Sequence, residues 1–232
     1  MAQEGKGEPR LTWLKRAASG TQGAPPVVGV LSGTFNPPTR AHLALAREAM
    51  ARLRLDEVVF VLPQVPPHKG ELEASLEDRA EMLRRMLARE ANFSAGICSH
   101  GLFLDQHRAI APHYPKGTRF LFLTGRDAAE RILLHWPYAE PRKALEEMFA
   151  RFEFAVAARG GEFNIPAGTP AARHAAKIHP FHIPPEYEAL SATRAREAVG
   201  RGERIETYVP EKVAEYMRAK GLYRQDAKMG EP

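Results

Sequence analysis

Two stretches far apart in the chain place hydroxyls, a histidine and an arginine where a helix could begin. The first is SGTFNPPTRAH, Ser32–His42. Gly33 follows an apolar run, and a glycine there lets the backbone turn tightly and a ligand approach it closely. Pro37 and Pro38 stiffen the connection. Thr39 suits the cap of a helix starting near Arg40, with His42 in its first turn. A helix start offers N–H groups without intrahelical partners and the positive end of the helix dipole. A hydroxyl and an imidazole beside such donors fit a phosphate group. A prolyl turn with an ordinary cap would use the same residues, so this stretch alone leaves both readings open. The second is LSATRAREAV, Leu190–Val199. Ser191 and Thr193 suit a helix start, and Arg196 carries a forked guanidinium that matches phosphate oxygens. A capped surface helix would explain this stretch equally well.

Other reactive side chains form no such constellation. Cys98, the only cysteine, lies in the apolar segment FSAGICSH and fits a buried strand position. One cysteine excludes an internal disulfide framework and suits a reducing, cytoplasmic setting. His174, His179 and His182 follow no standard zinc spacing, which favours a loop or interface role over metal binding.

The elements that must position these residues alternate. VVGVLS (Val27–Ser32), DEVVFVLP (Asp56–Pro63), FSAGICS, RFLFLTG (Arg119–Gly125) and FEFAVAARGG (Phe152–Gly161) are short apolar strand candidates. Helical spacing lies between several of them: Leu43, Ala46, Met50 and Leu53 in one, Leu76, Met82, Leu83 and Met86 in another, with Ser75 as cap and Asp78 three residues on. RDAAERILLHW is a third. A Gly/Pro/His-rich connection then leads through EALSATRAREAVGRGE to a final helix in PEKVAEYMRAKGLYR, stopped by Gly221. This alternation predicts an α/β fold with a doubly wound, mostly parallel sheet covered by helices on both faces. Ligands in such sheets lie beyond the carboxyl ends of the strands, where strand order reverses. Gly33–His42, Gly125–Asp127 and Ser191–Arg196 are placed for such ends.

Of the 232 residues, 1–26 are expected to form a flexible extension with a short helix over Leu11–Ala18, and 27–225 a single domain. The net charge of +5 comes from Arg and Lys spread among Glu, without a basic block or a nucleic-acid motif. That favours small phosphate-bearing ligands over nucleic acid. No apolar run is long enough to span a membrane, and the N-terminal stretch lacks the apolar core of a secretory signal.

SGTFNPPTRAH is neither of the common glycine-rich nucleotide loops. It resembles the GTFDPxHxGH motif of the nucleotidylyltransferase superfamily through Gly33, Thr34, Phe35, Pro37 and His42. It carries Asn36 for Asp, Thr39 for the first His (a known alternative) and Ala41 for Gly. LSATRAREAV resembles the superfamily's ISSTxIR, with Ser191, Thr193 and Arg196 in register. LPQVPPHK, LTGRDAAERILLHW, AARGG and VPEKVAEYMRAKGLYR follow in order and are similar to bacterial nicotinate mononucleotide adenylyltransferases, over roughly residues 28–224.

The resemblance implies a Rossmann-like fold and adenylyl transfer from ATP, with Mg²⁺, to nicotinate or nicotinamide mononucleotide in NAD biosynthesis. Gly33, Thr34, Phe35, Thr39 and His42 would hold the ATP phosphates, with Ser191, Thr193 and Arg196 closing over them. His42, Thr39 and Arg196 would carry catalysis. Gly125 and Asp127 match the GxD segment at the adenosine. Trp136 matches the tryptophan that stacks on the pyridine ring, and Gln64, His68, Lys69 and Arg159 line the mononucleotide side. The family's S-Y-T-x-[DN]-T segment, which reads the nicotinate carboxylate, is replaced by HGLFLDQH (His100–His107). With Asp105 in register, Leu102 and Phe103 stand in the places of Tyr and Thr, which leaves acid and amide both open. A phosphopantetheine adenylyltransferase and a catalytically weakened nucleotide-binding homologue are the alternatives. Assembly into a homo-oligomer is also left open.

Overall fold

The apolar runs become strands: β1 Leu11–Lys15, β2 Val27–Ser32, β3 Glu57–Pro63, β4 Phe93–Cys98, β5 Arg119–Gly125, β6 Glu153–Ala157 and β7 Ile178–Phe181. Between and after them run α1 Arg40–Leu53, α2 Leu76–Leu87, α3 Phe103–Ile110, α4 Arg126–Glu130, α5 Pro141–Arg151, α6 Pro185–Glu188, α7 Ala192–Gly200 and α8 Glu211–Ala219. These elements come from a computed structural model that describes residues 7–18, 25–67, 72–135, 140–158 and 161–224.

The strands form one sheet in the order β1-β4-β3-β2-β5-β6-β7, in which every neighbouring pair except β1–β4 is parallel. Every residue of β3 is buried, as a central parallel strand with both faces covered requires. Alternate side chains feed two cores. Val58, Phe60 and Leu62 face a cluster with Leu45 of α1, Leu83 of α2 and Met217 of α8. Val59 and Val61 join a second cluster with Ile110 of α3 and Leu145 and Phe149 of α5. From β2 the chain winds outward through β3 to β4, then returns to start β5 on the other side of β2. Strand order therefore reverses between β2 and β5, where Leu31 pairs with Leu123. In sheets of this kind, ligands bind beyond the carboxyl ends of the strands at such a reversal.

Both edge strands depart from the expected layout. Leu11–Lys15, expected as part of a flexible extension with a helix, is an edge strand antiparallel to β4, with Leu11 opposite Cys98. Its apolar residues have a period of two: Leu11 and Trp13 pack into one core and Leu14 into the other. Lys15 Nζ and Ala17 N–H then tie it down through Phe93 O and Ser94 Oγ. Within the Gly/Pro/His-rich connection, Ile178–Phe181 forms the opposite edge strand, where Pro180 is tolerated. His179 is therefore a strand residue, paired with Glu153, while His174 stacks on Phe149.

Candidate active site

Thr39 caps α1 in an extended conformation, and His42 at the third helical position completes a capping box. Thr39 N–H donates to His42 Nδ1 (3.0 Å), and Thr39 Oγ1 lies 2.8 Å from the same nitrogen. His42 N–H in turn reaches Thr39 Oγ1 at 3.4 Å. Because Nδ1 accepts from the backbone, the ring proton belongs on Nε2, which makes that nitrogen a donor. Thr39 is completely buried, so its hydroxyl works within this box. Arg40 N–H is also engaged, by Tyr208 O at 2.8 Å. The start of α1 is thus better satisfied than the sequence suggests, and the imidazole is its fixed polar feature.

The loop before the helix is held from several directions. Gly33 N–H donates to Val61 O (3.1 Å), and a Cβ on Gly33 would press on the Phe35 ring at 3.2 Å. Phe35 is buried with a φ of +46°, uncommon for a bulky residue, and its ring meets His42 edge-on. Arg79, buried on α2, donates to Thr34 O at 3.1 Å. Asn36 is buried too. Its Nδ2 donates to Glu73 Oε2 (2.6 Å) and its Oδ1 accepts from the Tyr223 hydroxyl (2.8 Å).

The second motif meets the first here. Ser191 caps α7 by accepting from Arg194 N–H. Arg196 donates from Nη1 to Asn36 O (2.8 Å) and from Nε to Glu73 Oε1 (2.8 Å). Partial burial favours the neutral form of Glu73, but the bonds from its own backbone and Asn36, with the Arg196 charge, hold its carboxyl below the usual range. Burial pushes the Tyr223 phenol up. An open cleft of about 650 Å³ lies beside this cluster, lined by Glu73, Thr193, Arg196, Leu222, Tyr223 and Arg224.

At the end of β5, no described residue lies within 4 Å of where a Cβ on Gly125 would stand. Asp127 is exposed in the first turn of α4. Arg126 donates to the carbonyls of Gly161 and Glu162, drawing the loop after β6 toward this end of the sheet. Gln106 of α3 reaches Ser32 Oγ at 2.9 Å. Three buried polar atoms here, Thr124 Oγ1, Gln106 Oε1 and Arg126 Nε, have no hydrogen-bond partner among the described residues. Buried polar atoms are normally paired, so a ligand or water would find partners at the switch point. Gln64 is exposed just beyond β3, its N–H bonded to Cys98 O. His68, Lys69, Trp136 and Arg159 lie outside the described residues.

In place of the S-Y-T segment, Leu102 precedes α3 in an extended conformation and makes no side-chain cap bond. Among the described residues, no group of three or more His, Cys, Asp or Glu side chains could hold a metal ion. The polar groups gathered at the loop are mainly donors, a set that suits a metal carried on a nucleotide's own oxygens. No described helix is long and apolar enough to cross a membrane.

Sequence reasoning missed Glu73, Arg79 and Tyr223. Arg79 left a signal: Leu76, Arg79, Ala80 and Leu83 follow helical spacing, which puts an arginine on the apolar face of α2. Nothing local marks the other two.

A family model described as cytidylyltransferase-like matches residues 30–198. A curated protein of Rubrobacter xylanophilus, named "Probable nicotinate-nucleotide adenylyltransferase", is 32% identical over 207 residues, covering 87% of this chain and 94% of its own length. A Gloeobacter violaceus protein of the same name is 32% identical over 207 residues, 84% and 95% of the two chains. Among solved structures, Plasmodium falciparum nicotinic acid mononucleotide adenylyltransferase complexed with APC aligns with a TM-score of 0.64 at 17% identity, over 85% of this chain and 97% of that one. The same enzyme complexed with NaAD aligns at 0.62. At such identity the likeness concerns the fold.

Proposed function

Because the chain belongs to the cytidylyltransferase-like family, we propose that it transfers the adenylyl group of ATP to nicotinate mononucleotide, releasing pyrophosphate and a dinucleotide for NAD biosynthesis. The observation that carries this reading is the bond from Arg196 to Asn36 O, which joins two phosphate-type loops 160 residues apart beside the sheet's switch point. The curated relatives cover most of the chain and carry that activity in their names.

The attacking group is a phosphate oxygen of the mononucleotide, already ionised near neutral pH. It needs no general base and no covalent intermediate. What the protein must do is align two anions and offset their repulsion. His42 Nε2–H is a pre-oriented donor for the α-phosphate as charge moves toward the leaving pyrophosphate. Arg196 meets the outer phosphates, and Thr193 and Ser191 line their side. Thr39 acts through His42, whose ring it orients. Gly125 leaves room for the adenosine, and Asp127 takes its ribose hydroxyls. Mg²⁺ enters as part of the MgATP substrate, held by phosphate oxygens and water, and no step here runs through a protein metal site. Gln64, His68, Lys69, Trp136 and Arg159 serve the mononucleotide. The start of α3, without a side-chain cap, offers backbone N–H groups to a pyridine carboxylate, which supports the acid over the amide. An ATP-consuming reaction of this kind belongs in the cytoplasm.

Pyrophosphate release from ATP with nicotinate mononucleotide, nicotinamide mononucleotide or phosphopantetheine tests the proposal. Nicotinate mononucleotide should be the fastest acceptor. Release with phosphopantetheine alone, or with none of the three, would overturn it.

A further inference from the structure

We infer that Glu73 is the carboxylate that positions Arg196, and that an amide at position 36 is what lets Glu73 do so. The inference rests on the adenylyl-transfer reading and concerns how the chain presents Arg196 to ATP.

The motif that Ser32–His42 resembles carries Asp where this chain has Asn36. Here Asn36 stands between three groups. Its amide donates to Glu73 Oε2 at 2.6 Å, its side-chain oxygen accepts from Tyr223, and its carbonyl accepts from Arg196. Glu73 Oε1 takes Arg196 Nε at 2.8 Å. An aspartate at position 36 would face the Glu73 carboxylate at hydrogen-bond distance with no proton between them, in a loop where residue 36 is only 3% exposed. Glu73 keeps 53% of its side chain exposed, so two ionised carboxylates in contact would repel and break the link between positions 36 and 73, or take up a proton to keep it. With Asn36 the contact becomes a bond, and one negative charge serves the arginine.

Glu73 is a positioning residue in this arrangement. A guanidinium has five N–H donors in a rigid fork. Glu73 and Asn36 O engage two of them, from Nε and Nη1, and so fix the plane of the group. The other donors are what a phosphate would take. Glu73 and Arg196 both line the open cleft, where an entering polyphosphate would meet the fork already set.

The bond pattern predicts a charge-swap rescue. Asn36→Asp alone sets carboxylate against carboxylate. Glu73→Gln alone leaves an amide with two demands, accepting from Asn36 Nδ2 and from Arg196 Nε, and no charge to meet them. In the double variant every bond is preserved with one donor and acceptor exchanged. The amide then at position 73 donates to the carboxylate at position 36 and accepts from Arg196, and that carboxylate still accepts from Tyr223.

The four proteins are compared by pyrophosphate release with ATP varied, by calorimetric binding of a non-hydrolysable ATP analogue, and by thermal melting. Each single variant should raise KM and the analogue Kd about tenfold, and the double variant should return to within about threefold of wild type. KM for the mononucleotide should stay level throughout, which a general loss of structure would not allow. A double variant no better than the worse single overturns the inference. So does a Glu73→Gln protein that binds ATP more tightly, since Glu73 would then compete with phosphate rather than position the arginine. If wild type binds the analogue and the swap holds but no acceptor releases pyrophosphate, the functional reading fails and the inference stands. If wild type binds no analogue, both fail.

Discussion

Replacing Thr39 tests whether the capping box orients the imidazole. Thr39→Val keeps the side-chain volume in a fully buried position, so no cavity forms. It removes the oxygen that accepts from His42 N–H at 3.4 Å and the hydroxyl 2.8 Å from Nδ1. The Thr39 N–H bond to Nδ1 survives, because it comes from the backbone. Losing a side-chain cap costs about 1 kcal/mol, which for a chain of this size lowers Tm by about 2–4 °C. Thr39→Ser keeps both oxygen contacts and loses one buried methyl, also worth about 1 kcal/mol. The two variants should therefore melt together, in differential scanning calorimetry, yet differ in turnover. Thr39→Val removes one of the anchors of the ring, and a displaced donor of this kind lowers kcat by about 10- to 100-fold. Thr39→Ser should keep most of the wild-type rate. If Thr39→Val turns over like wild type, the hydroxyl does not position His42. If Thr39→Ser loses as much as Thr39→Val, the methyl matters instead.

His42→Gln retains a side-chain acceptor at the third helical position, so it should melt close to wild type while kcat falls about 100- to 1000-fold in the pyrophosphate assay. Gly125→Ala meets no atom of the described residues and should leave Tm unchanged, but its methyl projects into open space at the switch point, so KM for ATP should rise. The Arg119 guanidinium bonded to Glu153, helped by His179, draws the Glu153 carboxyl from 4.5 down to about 2 against partial burial. A depressed carboxyl stabilises the fold above its unfolded value, so stability should fall as pH drops from about 4.5 to about 2. Glu153→Gln should flatten that part of a denaturation series; an unchanged slope would remove the pair from the account.

The five strands from β2 to β6 were legible because buried parallel strands are short apolar runs with turn residues at their ends. β1 and β7 were not. Five residues with Thr12 and Lys15 among the apolar ones, and four with His179 and Pro180, carry too little pattern to outweigh a loop, and both gain their partners only across the sheet. α3 was missed because Leu102 is no cap. In the site, Thr39 and Ser191 announced themselves through local capping chemistry. The links that join their loops run from Asn36 to Glu73, Arg196 and Tyr223, residues distant in sequence that only the fold brings together. At Thr39 the residue type points to phosphate, while its position in the fold buries the hydroxyl against the His42 imidazole.

The antiparallel strand at the rim has a practical consequence. Leu11–Lys15 pairs with Ala95–Cys98 on the outer side of β4, whose sequence FSAGIC has no charge and no proline to discourage pairing. A chain trimmed to begin at the first strand of the nucleotide-binding core would bare that edge as a template for other molecules. Expression of such a shortened chain should yield aggregates, although every residue of the catalytic loops would be present. The opening segment would then act as a hem that keeps the sheet's edge from pairing with its neighbours.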